Sequence, residues 1–247
     1  MSSAAEPRAT LRRSIRLFAA FRVEQTDPDR FYGTLASDSV AQLSRWVDLG
    51  GATVADVGGG PGYFADSFHR AGATYISVES DLGEMAARSA PGPGSVLGSA
   101  LALPLRAGSV DVCYSSNVLE HVPDPERMLA EMVRVTRPGG TVFCSYTLWL
   151  SPWGGHETAP WHFLGGHRAA RRYARIHGHQ PKNVYGESLF ATSAGRVVRW
   201  ARSCPDVDVI QLLPRYHPRW AWWVAGVPGL REVACWNLAV VLRKHGS

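Results

Sequence analysis

At 247 residues, with 45% apolar and 19% charged side chains and no repeat or long low-complexity tract, the chain suits one α/β domain with a modest extra segment. The formal charge of +5 is carried almost wholly by arginines scattered over several segments, which describes a solvated surface and excludes the clustered basic and aromatic face of a nucleic-acid binder. Cys113, Cys144, Cys204 and Cys235 form no C-x-x-C, no apolar run reaches the roughly 18 residues of a membrane span, and the start carries no leader-like apolar stretch, so a cytoplasmic protein in a reducing compartment is expected.

In chain order, Ala9 to Arg22 places Leu11, Ile15 and Phe18 at helical spacing, with Arg12, Arg13 and Arg16 on other faces. This is a basic amphipathic helix that could cap a ligand pocket or lie peripherally on an anionic membrane. Thr26-Asp27-Pro28-Asp29 signals a second helix start, and Arg30 to Val47 continues it with Phe31, Leu35, Val40, Leu43, Trp46 and Val47 largely to one side. Residues 1–48 therefore form an N-terminal helical cap, with Tyr32 placed as a lid over the site that follows. The main domain runs from 49 to 247.

A short apolar strand, Thr53 to Val57, then passes through Gly58, Gly60 and Gly62 into a helix from Tyr63 to about Arg70. Glycines there let the backbone bend sharply and a ligand approach closely, while the helix turns its N-terminal amides to the same spot. This is a nucleotide-binding turn. Its spacing departs from the dinucleotide pattern G-x-G-x-x-G, which would need a glycine at Tyr63, or survives only as the alanine variant at Ala65. With no Tyr-x-x-x-Lys pair either, a nicotinamide-dependent reductase is disfavoured.

Tyr75 to Glu79 is a second strand, and its closing carboxylate can accept from both ribose hydroxyls of an adenosine. Asp81 reads as the cap of a helix containing Met85. Further strands are expected at Ser95 to Gly98, Val110 to Ser115 and Thr141 to Thr147, with a helix from Glu126 to Val135 ended by Arg137-Pro138-Gly139-Gly140. Strands alternating with helices predict a doubly wound, mostly parallel sheet.

From about Ala52 to Tyr146 the chain resembles the small-molecule methyltransferase domain often called type 11, related to the ubiquinone and menaquinone enzymes, within the class I S-adenosylmethionine-dependent methyltransferases. Asp56-x-Gly58-x-Gly60-x-Gly62 fits the first motif without exceptions, and SVES, the LPL turn, SVDVCYSSNVLEHVPDP and RVTRPGG follow in order. The resemblance implies a Rossmann-like fold and S-adenosyl-L-methionine as cofactor, leaving as S-adenosyl-L-homocysteine. It also implies that Asp56, Gly58, Gly60 and Gly62 serve the methionine end, Glu79 with Ser80 the ribose, Met85 and Leu101 the adenine faces, and that Asn117 sits beside the cofactor. Ser99 stands where the family usually has an aspartate accepting from the adenine amino group. A neutral acceptor shifts that role toward the backbone of Ala100 and Leu101 and weakens binding by about 1 kcal/mol. His121, in the family's L-x-H piece, is implied to pack near the cofactor as a structural residue.

Beyond Tyr146 the family pattern fades into a substrate or lid insertion at about 148–192, rich in Trp, His and Gly. It leaves the carboxyl end of a strand, the rim where open α/β sheets bind ligands. His156 is the expected base, with Glu157 orienting it or acting alone. His156, Glu157 and His162 match no standard metal-ligand spacing, so no metal is expected. Arg168 to His177 reads as a basic helix, Tyr185 to Phe190 as a lid strand, and Ser193 as the cap of a helix to about Arg202. Val207 to Leu213 and Trp236 to Leu242 are the last strands, resembling the hairpin whose antiparallel final strand closes a seven-stranded methyltransferase sheet. Trp220, Trp222 and Trp223, near Arg215, Arg219 and Arg231, are core, pocket wall or a lipid-facing edge. The function expected is methyl transfer to oxygen of a small-molecule or lipid-like acceptor. The alternative is a catalytically silent cofactor-binding module working through a partner interface.

Overall fold

The computed structural model describes residues 9–23 and 26–246. Strands β1 (Thr53–Val57), β2 (Thr74–Glu79), β3 (Ser95–Leu97), β4 (Val110–Ser116), β5 (Thr136–Thr147), β6 (Val207–Pro214) and β7 (Asn237–Lys244) form one sheet in the order β3-β2-β1-β4-β5-β7-β6. The five strands from β3 to β5 run parallel, and β7 inserts antiparallel between β5 and β6. The chain leaves β1 toward β2 on one side and returns to β4 on the other. The carboxyl ends of β1 and β4 therefore flank a topological switch point, where a crevice opens.

Successive strand residues feed opposite faces, as the period of two requires. Val54, Val112, Phe143 and Ala239 pack with Ala20, Phe31, Leu35, Leu43, Phe64 and Phe68. Their neighbours Ala55, Cys113, Cys144 and Val240 pack on the other side with Met128, Leu129, Met132, Val197 and Val198. Helices α1 (Leu11–Phe21), α2 (Pro28–Leu43) and α3 (Ala65–Arg70) thus cover one face. The short α4 (Leu82–Met85) follows β2, and α5 (Pro125–Val135) and, after α6 (Gly166–His177), α7 (Ala194–Ser203) cover the other face. A 3-10 helix at Arg219–Gly226 and α8 (Leu230–Ala234) complete the described elements. The expected caps Asp81 and Ser193, and likewise Thr10, Asp27 and Asp124, each accept the amide three residues on.

Three expectations change. Tyr185 to Phe190 is no strand: the carbonyl of Val184 accepts the amides of Glu187, Ser188 and Leu189, and Gly186 takes φ +86°, folding the segment back on itself. The second helix ends at Leu43, four residues short of Val47, and β5 reaches back to Thr136 across an irregularity at Arg137–Gly140. In α1 the packed face is Arg13, Leu17 and Ala20, while Leu11, Ile15 and Phe18 face solvent.

The reason for that orientation is a buried ion pair. Arg13 donates from Nε and Nη2 to the two carboxylate oxygens of Asp38 at 2.7 and 2.6 Å, and both its Nη atoms reach the carbonyl of Arg215. Facing Arg13 inward satisfies every one of these groups, and Leu11 and Ile15 on the opposite side are left outside. Removing one partner of a buried pair strands the other, at a cost of about 3–5 kcal/mol. Asp38→Ala is therefore expected to lower stability by that amount in urea unfolding and to expose the linker after α1 to limited proteolysis.

Candidate active site

Two kinds of glycine shape the crevice. Gly58, Gly60 and Gly62 have φ of +76°, +52° and +80°. A Cβ on Gly58 would lie 2.3 Å from a methyl of Val118, whereas Gly60 and Gly62 border open space. The first is needed for packing, the other two for the bend itself. Asp56, one strand position below, is buried, and the Tyr75 hydroxyl donates to its Oδ2 at 2.6 Å. Burial raises its pKa to about 7, with Tyr75 opposing, Glu79 adding and Arg215 lessening the rise.

Glu79 closes β2 and ties it to the turn. Its Oε2 accepts the Gly60 amide at 3.2 Å, and Oε1 accepts the amides of Ser80 and Asp81 and the Ser80 hydroxyl. Those bonds leave one lone pair, on Oε2, for a further donor. Tyr32 stacks on Tyr63 with centroids 4.5 Å apart and planes 14° off parallel, and the Arg88 guanidinium lies over Tyr63. This brings the expected lid residue to the start of α3. Met85 is buried beneath α4. Ser99 is exposed, and its hydroxyl accepts the Leu101 amide at 3.1 Å, while Ala100 and Leu101 are half-buried beside it. Asn117 follows β4 at φ +58°, its Oδ1 accepting from Asn237 at 2.6 Å.

The loop after β5 is tight. A Cβ at Gly154 would meet the Trp149 carbonyl and one at Gly155 the His162 ring, so both positions are closed to larger residues. His162 is buried against Trp149 and Phe163 and bonds the Ser151 carbonyl. His156 takes φ +48°, and its ring stands 5.0 Å from that of His121. Burial pulls the His156 pKa down to about 4, which keeps the imidazole neutral at neutral pH. Glu157, in contrast, is exposed and accepts from Asn183 at 2.8 Å.

The carboxylate that joins His156 is Glu120. One donor atom each from Glu120, His121 and His156 lie within 4.8 Å of one another. Glu120 is 1% exposed, its Oε1 accepts the Thr147 amide at 2.9 Å, and His121 Nδ1 contacts the Ser188 carbonyl at 2.6 Å. The residues that build this cluster come from the 3-10 turn after β4 and the loop after β5, so it stands on the same rim as Asn117. Sequence reasoning passed over Glu120. The available signal was an acid beside a histidine four residues past the end of a buried strand.

A glycine turn after β1, a carboxylate closing β2 and an antiparallel strand inserted next to the last define the class I S-adenosylmethionine-dependent methyltransferases. A family model described as a methyltransferase domain matches residues 55–144. An uncharacterized methyltransferase of Mycolicibacterium gilvum is 57% identical over 246 residues, covering 96% of each chain, and one of Mycobacterium marinum is 56% identical over 245 residues, covering 95% of each. The chain belongs to this methyltransferase family and is an enzyme that uses S-adenosylmethionine. The fold is shared with an S-adenosylmethionine-dependent methyltransferase from Mesorhizobium loti, at 19% identity and TM-score 0.56 over 86% of this chain and 98% of that one. It is also shared with a Haloferax volcanii methyltransferase solved with its Trm112 activator, at 15% identity and TM-score 0.54 over 95% and 98%.

The buried Asp56 gives a pH signature. Its folded pKa of about 7 lies above the ordinary 3.8, so between those values the native state holds a proton that the unfolded chain has released. Stability from this group is full below pH 4 and is lost as pH rises through 7, by on the order of 4 kcal/mol. Urea unfolding is expected to show wild type falling more steeply than Asp56→Asn over this window. Parallel profiles would contradict the assignment.

Proposed function

We propose that the enzyme transfers the methyl group to an oxygen of a small, lipid-like acceptor held against the loop after β5. The observation that carries this reading is the cluster of buried Glu120 with half-buried His121 and His156 on the rim beside Asn117. An acceptor hydroxyl must shed its proton as its oxygen bonds to the methyl carbon; the carbon–sulfur bond breaks and its electron pair stays on sulfur, giving the thioether of S-adenosyl-L-homocysteine. Alignment supplies most of the acceleration, and activation of the hydroxyl the rest. His156 heads the activating set. Glu120 takes the supporting role first assigned to Glu157, whose carboxylate is engaged by Asn183.

On the cofactor side, Gly58, Gly60 and Gly62 receive the methionine end, with Asp56 supporting the turn and Asn117 beside it. Glu79 and Ser80 hold the ribose, Met85 and Leu101 flank adenine, and Tyr32 closes over the turn. Because the Ser99 hydroxyl already serves the Leu101 amide, the adenine edge falls to the backbone at Ala100 and Leu101.

A lipid-like acceptor is supported by the surface next to the loop. Phe18 and Phe21 meet Trp153 edge-on, and Trp153 meets Trp236. The Arg219 amide bonds the Ala9 carbonyl, which sets Trp220 and Trp223, 72% and 62% exposed, near the start of α1 with its outward Leu11 and Ile15. Arg12 and Arg16 flank that apolar edge. No helix of the described residues is long and apolar enough to cross a membrane, so contact with anionic lipid would be peripheral.

His156→Ala is expected to reduce kcat at least 100-fold while calorimetric affinity for S-adenosyl-L-methionine stays within twofold; Glu157→Gln should leave kcat within threefold. Glu79→Ala should instead weaken cofactor affinity at least tenfold. Turnover to S-adenosyl-L-homocysteine that survives His156→Ala would remove this cluster from the reaction. The lipid contact is checked separately by co-sedimentation: pelleting with anionic but not zwitterionic vesicles, reduced in Phe18→Ser, is the expected result, and protein left wholly in the supernatant counts against it.

A further inference from the structure

We propose that Glu120, His121 and His156 together bind one divalent transition-metal ion of the zinc type. Three protein donors around such an ion, each at about 2.0–2.2 Å, stand roughly 3–4 Å apart. The donor atoms here all fall within 4.8 Å of one another.

Two of the three donors are otherwise orphans. Glu120 Oε2 and His156 Nε2 are both buried with no hydrogen-bond partner. A buried polar atom left unpaired costs about 1–3 kcal/mol, and more where charge is involved. Two residues of a convergent three-donor cluster, each with an orphaned buried atom, are explained by a cation among them. The surrounding bonds are those that orient ligands. His121 Nδ1, donating to the Ser188 carbonyl, leaves the lone pair on its other ring nitrogen, and Glu120 Oε1 is fixed by the Thr147 amide. His156 is held by its own backbone, its amide donating to the Trp153 carbonyl and its carbonyl accepting from Ala159.

Two imidazoles and one carboxylate favour a borderline ion over magnesium or calcium, which prefer oxygen donors. Three protein ligands also leave a fourth position open, as in zinc sites that do chemistry. Resting on the reading above, an ion held by Glu120, His121 and His156 would supply Lewis-acid activation of the acceptor hydroxyl, easing loss of its proton to water as its oxygen attacks the methyl group.

The test uses the full chain freed of metal with a chelator, titrated with zinc chloride by calorimetry and with cobalt(II) by visible absorption. One ion per chain is expected, with a tetrahedral cobalt spectrum. His121→Asn, which keeps a donor for Ser188, and His156→Asn should each weaken zinc binding at least tenfold, while Glu157→Gln leaves it unchanged. Cofactor binding confirms that each variant is folded. No stoichiometric binding, or zinc binding by both histidine variants as tight as wild type, overturns the site. If binding fails while metal-free protein still methylates an oxygen acceptor, the metal alone is lost. If zinc binds and no oxygen acceptor turns over, the acceptor reading is lost instead.

Discussion

One fully buried guanidinium holds the working edge of the sheet together. Arg215, just past β6, donates from Nη1 to the hydroxyls of Ser116 and Ser145 and from Nη2 to those of Ser39 and Tyr114. Its backbone amide donates to the Asn237 carbonyl, and its own carbonyl accepts from Arg13. One residue therefore links α1, α2, β4, β5 and the start of β7. A buried charge without a carboxylate in contact is costly to desolvate. Here four hydroxyl dipoles solvate it, and the carboxylates of Asp38 and Asp56 act on it or beside it through space. Charge-assisted bonds of this kind weaken only if the groups move apart, so the helical cap and the rim are stable as one unit.

Rigidity at that rim is matched by strain. The non-glycine residues with positive φ among those described are Asn117, His156 and Trp236. They follow β4, lie in the loop after β5 and precede the antiparallel β7, which puts all three at the same end of the sheet. Such conformations cost of order 1–3 kcal/mol each and persist only where neighbours enforce them. Asn117 is enforced by Asn237, Trp236 by tilted and edge-on contacts with Trp153 and His217, and His156 by the turn bonds on either side of it. Glycine would relieve each position. That bulky or functional side chains stand there instead points to what those side chains do.

Much of the architecture was legible because it is written locally. Alternating residues such as Val112 and Cys113 mark strands, Asp27-Pro28 and Asp124-Pro125 mark helix starts, and three glycines with a following carboxylate mark the crevice. The acceptor side was not legible in the same way. Glu120 and His156 meet only because β4 and β5 are neighbours in the sheet, and the hydroxyls around Arg215 come from positions 39, 114, 116 and 145, with nothing in their local sequence to announce a common partner. The orientation of α1 was open for a related reason: periodicity alone ranks Leu11 and Ile15 above Arg13 for burial, and a carboxylate on another helix reverses the order. Tyr185 to Phe190 has strand composition, yet Gly186 and the Val184 carbonyl close it into a turn.

The two ends of the crevice differ in electrostatic character, and this bears on how a cationic sulfonium is received. Asp56 lies beneath the turn with its pKa lifted to about 7, so a large share of it is neutral near that pH and the Tyr75 hydroxyl, not solvent, satisfies it. Negative character at the cofactor end is thus concentrated at Glu79, which is aimed by the Gly60, Ser80 and Asp81 amides before any ligand arrives. At the adenine end Ser99 supplies no charge, and its hydroxyl is spent on the Leu101 amide. In the proposed binding mode, affinity leans on the ribose, the glycine turn and the stacked Tyr32 and Tyr63 more than on the base. A crevice organised in this way grips the part of the cofactor that substrate and product share. In that proposed mode the reacting sulfur is left to the rim, where Asn117 and the histidine cluster stand.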